Sequence, residues 1–214
     1  MYITMIKETF YQLVQKYDAG EARISELWLE IEKAYSSSNR FYHTLAHLTA
    51  LLNQLTEIQT EISNWEAVLF SLYYHDIVYD ATQSDNEEQS AMVATERMRC
   101  IKVPEPIIEV CEQHILATKW HKPSANMDSN YFTDADLSIL GYPFEAYSMY
   151  AKSVRMEYLI YSDRIFNEGR SKVLKHFLRM ERIFKTDFFY SRFEQQAKCN
   201  LAKELDTLIG FLNE

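Results

Sequence analysis

Glycine and proline are scarce in this chain of 214 residues, which contains four of each. These two residues form many of the tight turns that a multi-stranded sheet requires. Their scarcity argues against a β protein, and the recurrence of apolar residues at helical spacing predicts an all-α fold. Because the chain can bury a full core and shows no linker or internal repeat, we expect a single domain over residues 1–214.

Cysteine is rare as well, since the chain has only Cys100, Cys111 and Cys199. An odd number of widely spaced cysteines argues against a disulfide framework and against a zinc site of the CxxC type. Such a composition is typical of a protein from a reducing compartment. We therefore expect a cytoplasmic protein.

Positive charge is in deficit, with 22 Lys and Arg against 31 Asp and Glu and a net charge of -9. A general DNA- or RNA-binding surface needs a basic footprint, so a nucleic-acid polymer is not the expected partner. The chain also lacks an apolar run of membrane-spanning length and a secretory leader, which argues against a membrane partner. A small anionic substrate held by local cations or by a metal remains compatible with this charge.

Helical periodicity extends through most of the chain, and the fourth helix opens with a capping box at residues 63–66. Residues 121–130, rich in Pro, Ser, Asn and Asp, are predicted to be the least regular stretch. Asp134 is expected to cap a short helix that Gly141 ends. The predicted helices cover about residues 3–17, 21–35, 42–58, 63–76, 85–100, 104–120, 134–141, 143–166, 169–184 and 186–212.

The adjacent pair His75-Asp76 ends the strongly apolar fourth helix. Imidazole and carboxylate are both ligands for divalent metals, and a charge in an apolar environment is costly unless it is paired or bound to a cation. The competing explanation is a helix C-terminus at which both side chains simply face water. The dipeptide alone does not decide between these readings.

Two further histidines, His43 and His47, are four positions apart, so on one helix they would project from one face. Such a pair can share a metal, or one histidine can bind the metal while the other moves protons. Asp136 lies in an otherwise apolar helical stretch and is expected to point inward, where its carboxylate needs a cation such as a metal or an arginine.

In chain order, His47, His75, Asp76 and Asp136 form the pattern H…HD…D, which resembles that of the HD-domain metal-dependent phosphohydrolases. The flanking residues extend the likeness to a bacterial subgroup of predicted HD phosphohydrolases, over roughly residues 40–185. The segments that carry it are residues 40–47, 75–80, 86–91, 134–141, 154–158 and 169–174.

The resemblance implies an HD-type helical bundle with a core at about residues 40–145 and additional helices on both sides. It implies that His47, His75, Asp76 and Asp136 bind one divalent metal, for which Mn, Fe, Zn, Ni, Co and Mg all qualify. Residues 42–47 are also similar to a string in cyclic nucleotide phosphodiesterases, which implies that His47 is the ligand. His43 would then protonate the leaving oxygen.

The implied activity is hydrolysis of a phosphate ester of a small metabolite, with a nucleotide favoured, by metal-activated water. The enzyme could be a phosphomonoesterase or a phosphodiesterase. The alternatives are a non-catalytic metal-containing module that senses a nucleotide or binds a protein, and a helical scaffold without metal.

Several other residues could assist this chemistry. Asp80 and Glu87 could orient the water or hold a ligand histidine, although capping or surface exposure explains them equally well. His114 and His121 raise the question of a second metal, but Pro123 is expected to interrupt their helix. The cations that could clamp phosphate, rather than form surface salt bridges, are Arg40, Lys119, Arg155 and Arg170.

Overall fold

A computed structural model describes the backbone of residues 2–212 and the side chains of residues 5–211. The predicted all-α fold is confirmed, because no strand occurs within this part of the chain. Short 3₁₀ helices follow α3 and α7, at Gln59–Glu61 and Leu137–Gly141. The α-helices are α1 (Tyr2–Val14), α2 (Glu21–Tyr35), α3 (Leu45–Glu57), α4 (Trp65–Tyr74), α5 (Asn86–Cys100), α6 (Glu105–Ala117), α7 (Met127–Asp136), α8 (Phe144–Glu157), α9 (Asp163–Arg179) and α10 (Asp187–Leu212).

Two compact units divide the chain, Met1–Thr133 and Asp134–Glu214. The dividing point falls inside α7, so one continuous helix carries residues of both. Over the described residues, no helix combines the length and the apolar character needed to cross a bilayer.

Helix α4 is the centre of the first unit, and it packs against α1, α3, α5 and α6. Residues 67–74 are all buried, as expected for a helix that is apolar on every side. Its aromatic side chains anchor the neighbouring helices: the Tyr73 ring meets Phe10 edge-on at 4.9 Å, and its hydroxyl donates to the Ile6 carbonyl. The packing of α4 therefore fixes the position of its C-terminal end, which is followed by His75.

Helix α3 begins at Leu45, three residues later than predicted. Thr44 adopts an extended conformation and its hydroxyl accepts a hydrogen bond from the Ala46 amide, which caps the helix there. The prediction that His43 and His47 share a helix face is therefore wrong, because His43 lies in the turn before the helix.

Helix α7 begins at Met127, inside the stretch predicted to be irregular. Asp134 is not an N-cap of its own helix as predicted. Its fully buried carboxylate instead accepts hydrogen bonds from the amides of Lys185 and Thr186, just ahead of α10. Helix α4 is likewise capped by Asn64, whose side chain accepts from the Ala67 amide, and not by Ser63.

The long helix predicted from Pro143 to about residue 166 is two helices, α8 and α9, with a break at residues 158–162. Arg155 stabilises the break, because its guanidinium donates to the carbonyls of Tyr158 and Tyr161. Ser162 then caps α9 by accepting from the Ile165 amide. Helix α6 also ends earlier than predicted, at Ala117.

In the second unit, α10 packs against α9 and the 3₁₀ helix Leu137–Gly141. The half-buried pair Arg170 and Glu204 joins α9 to α10, with the guanidinium Nε 2.8 Å from the carboxylate. The core between these elements is aromatic, with Phe184, Phe189 and Phe193 buried.

Gly141 allows the closest backbone approach in this unit, so its replacement provides a stability test. A Cβ at position 141 would lie 2.5 Å from Phe193 Cβ and 2.6 Å from the Phe193 carbonyl oxygen. We expect Gly141→Ala to lower the free energy of unfolding by about 1–3 kcal/mol, as other overpacked substitutions do. Urea denaturation measures this change in the free energy of unfolding.

Gly169 is the matched control, because a Cβ there meets nothing within 4 Å and the residue lies inside α9. Gly169→Ala should raise the free energy of unfolding, by up to about 1 kcal/mol. Equal effects of the two substitutions would contradict the packing explanation for Gly141.

Candidate metal centre

His75 caps the C-terminus of α4, where the Ser71 carbonyl accepts a hydrogen bond from its amide. The imidazole is buried, and its Nδ1 lies 3.1 Å from the Leu72 carbonyl oxygen. A carbonyl only accepts, so Nδ1 carries the proton in this contact and the neutral ring presents the lone pair of Nε2. A backbone carbonyl fixes the tautomer of metal-binding histidines in the same way.

His47 comes from the first turn of α3 and is buried as well. Its Nε2 lies 3.2 Å from Nε2 of His75. Two imidazole nitrogens bound to one zinc ion at about 2.0–2.1 Å would be about 2.9–3.4 Å apart for angles between octahedral and tetrahedral. The spacing therefore fits two ligands of one metal, and without a cation it requires His47 to donate a hydrogen bond to His75.

Asp76 adds a carboxylate to these two imidazoles. Its Oδ2 atom lies 3.1 Å from Nε2 of His75 and 3.9 Å from Nε2 of His47. With the His75 proton on Nδ1, two acceptor atoms face each other at 3.1 Å, which is repulsive unless a proton or a metal cation lies with them. These ligand atoms therefore need a proton or a metal cation between them.

The ionisation of Asp76 reflects this environment. Burial alone would raise the pKa of its carboxyl, but the positive charge that His75, His43 and His47 carry when protonated outweighs burial and holds the pKa well below its ordinary value. Asp76 is therefore a carboxylate, the form that binds metal.

Asp136, the last residue of α7, supplies the second carboxylate. Ligand atoms of His47, His75 and Asp136 all lie within 4.8 Å of one another, close enough to bind one metal ion. Asp76 is outside that group but contacts two of its members. The structure thus brings together the four residues that the sequence pattern singled out.

Asp128, at the start of α7, holds this helix against α4. Its buried carboxylate accepts hydrogen bonds from the amides of Ser63 and Asn64, at 2.9 and 2.7 Å. These amides precede the first turn of α4, where a negative charge is favourable. No motif marked Asp128 in the sequence, because its role depends on a helix more than sixty residues away.

His43 lies beside the group without belonging to it. Its Nε2 is 4.0 Å from Oδ2 of Asp76, and its ring packs against Tyr79 with centroids 4.3 Å apart. The Tyr42 ring meets it edge-on at 5.0 Å. The imidazole is thus positioned next to the donor set, with part of its surface exposed.

Arg40 is buried and contacts the backbone of the centre. Its guanidinium donates to the carbonyls of Asp76, Ile77 and His43 and lies over the rings of Tyr35 and Tyr79. A phosphate contact by this residue would have to use N–H groups outside these bonds.

Glu87 and Lys119 lie at the start of α5 and just after α6. The pKa of the Glu87 carboxyl is raised, chiefly by burial and further by the negative charge of Asp76, against the attraction of Lys119. Lys119 also donates to Glu88 and to the Ser84 carbonyl. Glu87 is therefore within electrostatic range of the centre, and Lys119 is bound to carboxylates and a carbonyl.

Asp80 is exposed and belongs to a turn, in which its Oδ1 accepts from the amide and the hydroxyl of Thr82. Arg155 and Arg170, in the second unit, are bound to Asp163 and Glu204 respectively. For these three residues the structure shows a local structural contact, and their predicted roles in catalysis or phosphate binding stay predictions.

His114 is completely buried in α6, with Nδ1 2.8 Å from the Ser129 hydroxyl and Nε2 without a hydrogen-bond partner. Phe132 separates it from His75, since its ring stacks on His114 and meets His75 edge-on. His121 lies beyond the end of α6, with a positive φ of 49°. Neither histidine belongs to a group of three ligand-type side chains within the described residues.

The burial of His114 predicts a pH dependence of stability. Burial lowers its pKa from 6.5 to about 4, so the unfolded chain binds a proton more readily than the native one between these values. Stability should fall as the pH falls through this window, by about 2–3 kcal/mol at pH 4.5 from this group. We expect His114→Phe to weaken the difference between urea denaturation at pH 7 and at pH 4.5.

Exposed His176 provides the control, since its replacement by Phe should leave that difference unchanged. If the stability of His114→Phe depended on pH as strongly as that of the wild type, the attribution of this dependence to His114 would be wrong. Both measurements use chelator-treated protein.

Comparison of the sequence with models of known protein families finds no match, and comparison with curated proteins also finds none.

Proposed function

We propose that this protein is a metal-dependent phosphohydrolase whose metal is held by His47, His75, Asp76 and Asp136. The observation that carries the proposal is the convergence of two imidazole Nε2 atoms and a carboxylate oxygen at 3.1–3.9 Å, with the His75 tautomer fixed by the Leu72 carbonyl. The order of these residues in the chain and their likeness to the HD pattern support the same conclusion.

A divalent cation bound there would lower the pKa of water and polarise a phosphoryl oxygen. Two imidazoles and two carboxylates suit Mn, Fe, Zn, Ni, Co and Mg. The two carboxylates balance the charge of such a cation, which makes its burial favourable.

His43 is the proposed general acid. Its Nε2 faces the Asp76 carboxylate at 4.0 Å, and a neighbouring negative charge stabilises a protonated imidazole. Its ring is held between Tyr42 and Tyr79, so the proton is kept next to the metal-binding side chains. From this position the imidazole would transfer its proton to the leaving oxygen.

Glu87 is the proposed second proton carrier. Burial and the charge of Asp76 favour the protonated form of its carboxyl. In its ionised form, a carboxylate with a raised pKa is a stronger base, and Glu87 would in that form accept a proton from the attacking water. The expected substrate is a phosphate ester of a small metabolite, with a nucleotide favoured.

The test is metal analysis of the purified protein, followed by assays with phosphomonoester, phosphodiester and nucleotide panels. We expect about one divalent ion per chain and hydrolysis of at least one class, abolished by a chelator and restored by the metal. A metal-loaded protein that binds a nucleotide but hydrolyses nothing would instead indicate a sensing module. A protein without metal would indicate a helical scaffold.

A further inference from the structure

Arg40 lies between two segments of the proposed metal centre, the turn that contains His43 and the segment that contains His75 and Asp76. It precedes the turn that carries His43, and its side chain reaches the end of α4, which carries His75 and Asp76. The side chain is buried, and its Nη1 lies 2.7 Å from the Asp76 carbonyl oxygen and 3.3 Å from that of His43. Its Nη2 lies 3.0 Å from the Ile77 carbonyl oxygen.

Carbonyl groups in the turn that follows a helix lie outside the hydrogen-bond ladder of that helix and need partners from elsewhere. α4 ends at Tyr74, so the carbonyls of Asp76 and Ile77 lie just beyond it. A guanidinium satisfies several such acceptors at once, because its five N–H groups are fixed in a plane. Arg40 therefore binds the turn that directly follows α4 and its C-cap His75.

The plane of this guanidinium is itself held in place. Its central carbon lies 4.8 Å from the Tyr35 ring centre and 5.5 Å from that of Tyr79. Tyr79 also packs on His43, and the Tyr35 hydroxyl accepts a hydrogen bond from the Asp76 amide. The two tyrosines and Arg40 thus surround the same short segment of backbone.

We propose that Arg40 is a positioning residue that fixes the backbone of Asp76 and His43, and that it is not a ligand of the substrate phosphate. This role in catalysis rests on the proposed function, because Asp76 is a proposed metal ligand and His43 is the proposed general acid. Removal of Arg40 should therefore impair metal binding, not only substrate binding.

The test compares Arg40→Gln with a matched variant, Arg155→Gln. Arg155 makes the same kind of contact elsewhere, donating to the carbonyls of Tyr158 and Tyr161 after α8 and stacking on Phe166. Arg40→Gln should weaken Co²⁺ binding, followed by visible absorption, by about 10–100-fold, as loss of an outer-sphere partner does. Arg155→Gln should bind Co²⁺ like the wild type.

Hydrogen exchange of the metal-free proteins provides a readout independent of the metal. In Arg40→Gln, the amides of residues 75–77 should exchange at least about tenfold faster, because the end of α4 opens more often. In Arg155→Gln these amides should be unchanged. Arg40→Lys should be intermediate, since one ammonium cannot reach three carbonyls in a plane.

Unchanged exchange and unchanged Co²⁺ affinity in Arg40→Gln would overturn the proposal, and a raised KM with kcat preserved would then identify a phosphate ligand. If the wild type itself binds no Co²⁺, the proposed function fails. The exchange measurement still decides whether Arg40 positions the backbone of His43 and Asp76.

Discussion

Replacing His75 with alanine should reduce the metal content from about one ion per chain to background and abolish hydrolysis. His75 supplies an Nε2 lone pair whose direction is fixed by the Leu72 carbonyl, and this atom lies 3.2 Å from Nε2 of His47 and 3.1 Å from Oδ2 of Asp76. Its loss removes one of two imidazoles and leaves the carboxylate of Asp76 without its nearest partner. Metal analysis by mass spectrometry and the assay of the preferred substrate measure the two effects.

Two further variants make this result specific. His176, exposed on α9, is the control, and His176→Ala should keep both the metal and the activity. Asp136→Ala removes another member of the group and should also lose the metal. Circular dichroism and urea denaturation of the metal-free proteins establish that each variant is folded. Retention of a full equivalent of metal by folded His75→Ala would disprove the proposed ligand set.

The sequence was most informative where a helix is determined by its own residues. Helix α2 has the predicted bounds of residues 21–35, and α5 begins within one residue of its prediction. The continuous apolar character of the fourth helix indicated a helix over residues 63–76, and the structure has it at Trp65–Tyr74 with His75 as its C-cap. In these cases, local periodicity and burial lead to the same conclusion.

The errors occur where a helix end is determined by a distant residue. Asp134 binds the amides before α10, and Arg155 binds the carbonyls after α8. Neither contact is visible in the local sequence, so Asp134 was expected to cap its own helix and α8 was expected to continue past residue 158. Helix α7 shows the same effect, since Asp128 ties its first turn to the start of α4.

The site was predictable in its residue types but not in its contacts. The order of histidines and aspartates in the chain singled out His47, His75 and Asp136, which the structure brings together. The orientation of Arg40 toward carbonyls instead of solvent could not be read from the sequence. It depends on the turn after α4, whose carbonyls come to face Arg40 only once the chain has folded.

Replacing His43 with glutamine should separate proton transfer from metal binding. His43 lies outside the group formed by His47, His75 and Asp136, so the variant should keep one metal ion per chain. Without the general acid, kcat for an alkyl phosphate ester should fall by about 10²–10⁴-fold, whereas KM should change little. Steady-state kinetics and metal analysis on the same preparation provide both values.

The leaving group gives the sharper test of this role. An alkoxide needs a proton as it departs, whereas p-nitrophenolate is stable without one, so p-nitrophenyl phosphate should lose much less activity in His43→Gln. Equal losses for the two substrates would show that His43 positions groups and does not donate a proton. Loss of the metal would show instead that His43 is a ligand. A selective loss with the metal retained would assign the proton to the imidazole that lies 4.0 Å from the Asp76 carboxylate.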